Sequence, residues 1–168
     1  MKHLRYLLPI LILFTTLISN SISAQEIIRH PAISPDGDAI AYSWQGDIWH
    51  LDLNSDAQIP LRLTIHEAYE SGPLFNDDGS AIAFTSSRFG NNDVFKMELP
   101  NGRVEQLTYR SSGDRLSDWS GSSILFTTER DFNAVEWDAE VNMVPESGWT
   151  PRRICDALGE CATMCADG

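Results

Sequence analysis

Residues 31–42 read PAISPDGDAIAY and residues 73–84 read PLFNDDGSAIAF. Both run from a proline through a polar turn into a short apolar stretch. Asp36-Gly37 and Asp78-Gly79 mark tight hairpins, because glycine tolerates positive φ and aspartate tolerates the left-handed region. A third copy, SDWSGSSILF over 117–126, keeps the apolar run but carries Ser120-Gly121 in place of Asp-Gly. Gly37, Gly79 and Gly121 are spaced by 42 residues, and so are Ile40, Ile82 and Ile124. The last four residues, CADG, repeat the turn once more after 47 residues.

Moving outward, the second half of each unit also recurs. Asp47-Ile-Trp-His-Leu-Asp-Leu53 matches Asp93-Val-Phe-Lys-Met-Glu-Leu99, with a weaker copy at 140–144 (EVNMV). Each unit closes on LRLT (61–64), EQLT (105–108) or RRIC (152–155). Each therefore holds four β-prone stretches. The first is short, Ala32–Ser34 or Leu74–Phe75. The second, Ala39–Ser43 or Ala81–Thr85, is almost continuously apolar, as expected of a strand covered on both faces. The third alternates, with Ile48, His50 and Asp52 on one side and Trp49, Leu51 and Leu53 on the other. A weak helical hint appears only at 151–158.

Four-stranded units of roughly 40–45 residues predict a β-propeller. The expected fold is all-β: three four-stranded antiparallel blades at about 31–72, 73–116 and 117–164, with the start of a fourth at 165–168. A closed ring takes about four to eight blades. A chain that stops inside a turn is expected to be the front part of a longer protein or the product of a truncated reading frame.

The first 24 residues are read apart from this domain. Lys2 and Arg5 form a basic start, residues 6–18 (YLLPILILFTTLI) are apolar, and residues 19–24 (SNSISA) are small and end on Ala24. That order predicts a signal peptide cut after Ala24 and a secreted or periplasmic destination, with no membrane association after cleavage. The remaining chain, 25–168, carries 10 basic against 24 acidic side chains, a formal charge of −14. Such a surface repels nucleic acid and anionic lipid. Cys155, Cys161 and Cys165 cluster at the end. In an oxidising compartment they allow one disulfide with a thiol left over, or they serve as small apolar core residues.

With the repeats laid out, the chain resembles TolB-like propeller repeats, whose pattern is P-x-x-S-P-D-G-x-x-I-A-F, then D-I-[YW]-x-x-D-L, then L-T. Residues 31–64 fit almost throughout, and residues 73–108 fit with Asn76-Asp77 in place of Ser-Pro. A narrower resemblance is to the N-terminal propeller of exported tricorn-type serine proteases, carried by Glu67–Pro73 (EAYESGP), Ser86–Gly90 (SSRFG), Trp149–Arg153 (WTPRR) and Asp156–Gly159 (DALG). The resemblance implies a propeller that filters and guides peptides ahead of a second propeller, a PDZ domain and a serine peptidase domain. Two alternatives stand beside it: a non-enzymatic periplasmic TolB-like module that binds proteins, and the propeller of a prolyl-oligopeptidase-type enzyme. The expected partners are peptides or proteins, with a homo-oligomer open for the whole protein.

No Gly-x-Ser-x-Gly elbow, Walker loop or His-Glu-x-x-His motif occurs, so no catalytic residue, cofactor or metal is assigned. His3, His30, His50 and His66 are scattered and form no ligand set. Asp36, Gly37, Asp78, Gly79 and Gly121 are read as structural turn residues. Trp44, Trp119 and Trp137 fall near strand ends or loops, where an aromatic side chain either lines a peptide-binding mouth or packs between blades. Trp49, which aligns with Phe95, is expected in the core. Arg88 and Arg130 recur after the second strand of their blades, placed either to face the channel and bind carboxylates or to form salt bridges.

Overall fold

A computed structural model describes residues 27–128, 139–159 and 161–164. Residues 1–24 with the expected cleavage point at Ala24, Arg130, Trp137, Cys165 and the expected turn at 165–168 lie outside the described residues. Among the described residues, twelve strands form three four-stranded antiparallel sheets. The first sheet holds β1 (Arg29–Ile33), β2 (Ala39–Trp44), β3 (Asp47–Asp52) and β4 (Leu61–Arg62). The second holds β5 (Glu70–Phe75), β6 (Ala81–Ser86), β7 (Asp93–Glu98) and β8 (Val104–Gln106). The third holds β9 (Asp114–Ser120), β10 (Ser123–Thr128), β11 (Glu140–Pro145) and β12 (Arg152–Leu158). Spatial order follows chain order within every sheet. This is the partial propeller that the repeats predict.

The turns show why the motif repeats. Gly37 and Gly79 take φ of +80° and +73°. In the first turn, Asp36 Oδ1 accepts from the Ser34 hydroxyl and the Asp38 amide, while Ser34 Oγ accepts the Ala39 amide at 2.8 Å. In the second, Asp78 Oδ1 accepts from the Ser80 amide, and Asn76 Oδ1 accepts the Ala81 amide at 2.9 Å. Asn76 thus does the work of Ser34 with a different side chain. Successive turns also touch: Asp77 Oδ2 accepts the Gly121 amide at 2.8 Å.

The first strands are longer than the sequence indicates, at five to seven residues. A bulge breaks the regular alternation in β1 between Arg29 and Ala32 and in β5 between Ser71 and Leu74. His30 (φ +50°) and Gly72 (φ +63°) hold the left-handed position of that bulge. Blades two and three consequently begin at Glu70 and Asp114, earlier than the expected 73 and 117. The helical hint at 151–158 is overturned: most of it is strand β12, which pairs with β11 at Met143 and Asn142.

Two apolar layers separate the sheets. Ala41 and Ile48 meet Phe75, Ile82, Phe84, Phe95 and Met97 between the first and second. Ala81, Ala83, Val94 and Leu107 meet Trp119, Ile124, Phe126 and Val144 between the second and third. Strand β6 feeds both layers, and all six of its residues are buried. Trp49, expected in the core, is only half-buried. It pairs across the strands with Tyr42, so it shares the face of the first sheet turned away from the second. Cys155 and Cys161 are exposed and no disulfide joins them, which corrects their reading as core residues.

Candidate peptide-binding cleft

A lock of polar side chains fixes the end of each blade from which the connecting loops emerge. In the first blade, Arg62 pairs with the buried carboxylate of Asp47 and donates to the Thr64 carbonyl, while Thr64 Oγ1 accepts the Ile48 amide at 2.9 Å. In the second, Gln106 Nε2 donates to Asp93 and to the Thr108 carbonyl, and Thr108 Oγ1 accepts the Val94 amide at 3.0 Å. In the third, Arg153 Nη1 lies 3.4 Å from Glu140 and its Nε donates to the Cys155 carbonyl. The closing LRLT, EQLT and RRIC segments are therefore one device. A side chain two residues before the last position reaches the acid at the start of the third strand, and in the first two blades the threonine hydroxyl satisfies a buried amide that the ladder leaves open.

Above the first lock lies a cleft of about 840 Å³. The end of β2 and the following turn supply Trp44 and Gly46; the β4–β5 connection supplies His66, Glu67 and Tyr69; the start of β1 supplies Arg29. Trp44 is held edge-on against Trp49, with ring centroids 4.8 Å apart, and the Trp49 indole N–H donates to the Trp44 carbonyl. Tyr69 is half exposed and packs over Gly46, where an added Cβ would lie 3.7 Å from its ring. Two rigid aromatic faces thus flank one guanidinium and one carboxylate. Ser43 Oγ accepts the Gly72 amide and His66 Nδ1 accepts the Ala68 amide, so both groups are engaged in holding the backbone. The arrangement suits holding an extended chain by ring contacts and paired charges.

The structure disperses the other candidates. Arg88 Nε donates to Glu70 Oε1 at 2.6 Å, with Glu70 fully buried, and its guanidinium lies 5.6 Å from the Phe95 ring centroid. Of its two sequence readings, the salt bridge is the one this geometry shows, and it ties the start of β5 to the connection between β6 and β7 of the same blade. Trp119 is 5 % exposed in the layer between the second and third sheets. Its indole N–H donates to the Gly121 carbonyl, so it packs between blades and lines no mouth. Trp44 and Arg88 therefore belong to different places. Sequence reasoning did not pick out Arg29, His66 and Tyr69 for the cleft. The signal was the EAYESGP segment, which supplies Glu67 and Tyr69 to the cleft and Glu70 to the buried pair.

Fold and repeat chemistry together define a propeller segment of the TolB-like kind. The chain belongs to the family of tricorn protease N-terminal β-propeller domains, whose model matches residues 23–168. An uncharacterized protein of Agrobacterium fabrum is 28% identical over 144 residues, covering 78% of this chain and 47% of that protein. A TolB-type structure from Agrobacterium tumefaciens superposes with a TM-score of 0.64 at 24% identity, covering 79% of this chain and 50% of that one. The tricorn protease crystal structure superposes with a TM-score of 0.60 at 19% identity, covering 73% of this chain and 13% of that one. The chain spans about half the length of the two Agrobacterium proteins.

Proposed function

We propose that these residues form the substrate-guiding propeller segment of an exported tricorn-like serine protease, with the peptidase chemistry residing in other parts of the protein. Membership of the tricorn N-terminal propeller family over 23–168 is the observation that carries this reading. The cleft around Trp44 and Tyr69 supplies a place for a peptide. An exported location follows from the basic, apolar and small-residue order of residues 1–24. Reading the coding region of the whole gene tests the proposal. It expects a PDZ domain and a serine peptidase domain, and a frame ending after one complete propeller would defeat it.

A second reading, a periplasmic TolB-like module that binds envelope proteins without catalysis, draws on the superposition with the Agrobacterium TolB-type structure. It expects the short frame and copurification with envelope lipoproteins. Under both readings, residues 25–168 incubated with unfolded peptides bind them without hydrolysis. Measured turnover would overturn both.

A further inference from the structure

A second recess lies on the outer flank, between the second and third blades, far along the chain from the Trp44 cleft. Two adjoining cavities of about 680 and 480 Å³ share Tyr109 and Trp149 as common walls. Strand β8 runs along the first of them and is an edge strand of its sheet. The Leu107 amide donates inward to the Val94 carbonyl, so by strand alternation the peptide groups of Val104 and Gln106 point outward. An open edge of this kind invites an added strand, which would use its donors and acceptors in alternation. Here the pattern is interrupted. The Tyr109 hydroxyl donates to the Gln106 carbonyl at 2.5 Å and engages that acceptor, so Gln106 offers the recess its amide donor alone.

Three aromatic rings stand in the open around this edge. Phe89, Tyr109 and Trp149 are 70%, 72% and 82% exposed. Trp149 is held out at φ +123°, a conformation that residues with a Cβ rarely adopt. Backbone strain of this kind gathers at ligand-contacting positions. Its indole N–H makes no hydrogen bond among the described residues. In the second cavity the Asn142 side chain is 4% exposed, and its Nδ2 has no hydrogen-bond partner among the described residues. A buried amide donor in that state calls for an acceptor.

Charge does not select the occupant. Arg88 and Arg153 are held by the buried Glu70 and Glu140, Arg110 is engaged as well, and Arg103 and Glu105 line the same cavity with opposite signs. What selects is a set of unengaged donors, the Gln106 amide, the Trp149 indole and Asn142 Nδ2, beside exposed rings. A matching ligand supplies carbonyl oxygens, brings few donors of its own and lays apolar groups flat on the rings. Proline meets all three demands: it keeps its carbonyl, has no N–H, and carries an apolar ring. We propose that the recess between the second and third blades is a docking groove for a proline-rich segment in the polyproline II conformation. The segment rests its pyrrolidine rings on Tyr109 and Trp149, with Phe89 extending the apolar floor, and turns its carbonyls toward the three donors. Polyproline II is already populated in such a free segment, so little ordering entropy is lost on docking. This site does not rest on the substrate-guiding reading and lies apart from the Trp44 cleft.

Fluorescence anisotropy on residues 25–168 tests it, with two blocked, uncharged, fluorescein-labelled peptides of about ten residues, one of proline alone and one alternating valine and serine. The proline peptide is expected to bind at least about tenfold more tightly. Its affinity should change less than about twofold between about 0.05 and about 0.5 M sodium chloride, because no ion pair is formed. Trp149→Gly, which relieves the strained φ, is expected to weaken proline binding about tenfold while leaving the melting temperature unchanged or raised. Phe89→Ala, expected to weaken it in the same direction, serves as a second variant if Trp149→Gly does not fold. Tyr109→Phe keeps the ring and frees the Gln106 carbonyl; it should hold proline binding within about threefold and tighten binding of the valine–serine peptide. Equal binding of both peptides, full binding by the aromatic variants, or a steep fall in affinity with salt overturns the proposal. So does loss of binding on Trp44→Ala but not on Trp149→Gly, which would place the peptide in the first cleft. Self-association of the chain abolished by Trp149→Gly would assign the groove to a second copy and would equally overturn it.

Discussion

At the residue scale, each blade depends on a few buried polar groups. Thr108 is fully buried; its hydroxyl accepts the Val94 amide and approaches Asp93 Oδ1 at 3.3 Å. Thr108→Val keeps the shape and strands that amide. It should cost about 1–3 kcal/mol, read as a lower urea midpoint, whereas Thr108→Ser should retain most of the stability. The Glu70–Arg88 pair is a harsher case. Glu70 has no solvent exposure, and the Arg88 side chain is 16% exposed. Arg88→Ala leaves a buried carboxylate without its cation and should cost about 3–5 kcal/mol in chemical unfolding. Replacing both residues by methionine should recover most of that loss, because the desolvation cost disappears with the charges. A loss no larger than that of an exposed arginine would show that this pair does not hold the blade together.

At the element scale, β3 and β5 meet across the first interface, where His50 packs edge-on to Phe75 with centroids 6.2 Å apart. Burial lowers the His50 pKa from its ordinary value of 6.5, and the nearby Asp52 carboxylate partly opposes the shift. The folded state therefore prefers the neutral ring. Above pH 6.5 both states are neutral at this position; below it the unfolded chain takes the proton first. His50's contribution to stability should thus fall as pH drops from 6.5 through the lower folded value. Urea unfolding across that range should show the loss, and His50→Gln should flatten the part that belongs to this residue. The turns contribute in the opposite part of the acid range. Hydrogen bonds from Ser34 to Asp36 and from Ser80 to Asp78 hold those carboxyls below the ordinary 3.8, so their contribution is present above 3.8 and is lost as pH falls through the lower folded values. Both carboxyls are fully exposed, so theirs is the smaller effect.

At the scale of the whole molecule, the second sheet is covered on both faces while the first and third each meet it on one. Repeat architectures whose units touch only their neighbours take their local stability from those interfaces. Amides of β6 and β7 should therefore exchange with deuterium more slowly than those of β2 and β3, as mass spectrometry of peptic fragments can measure. Faster exchange in β6 than in β2 would mean that the apolar layers do not set the order of opening. Most of this architecture was legible in the repeats. The turn residues and the apolar runs at 40–42, 82–84 and 124–126 are local signals, and they determined the number of strands, their order and the hairpin chemistry. The bulge at His30 and Gly72 was not legible, because a left-handed residue inside a strand leaves no periodic trace when one copy is histidine. Nor were the roles of Trp119, Arg88 and Cys155. Local pattern places a side chain on a strand or in a loop, but burial and pairing depend on what the neighbouring sheet brings against it. Arg88 meets Glu70 across 18 residues of chain. Trp149 and Tyr109 line one recess from different blades. Strand pairing inside the second blade decided the first meeting, and the packing of sheet on sheet decided the second, because contacts between blades join residues whose spacing follows the stacking of blades and not the strand.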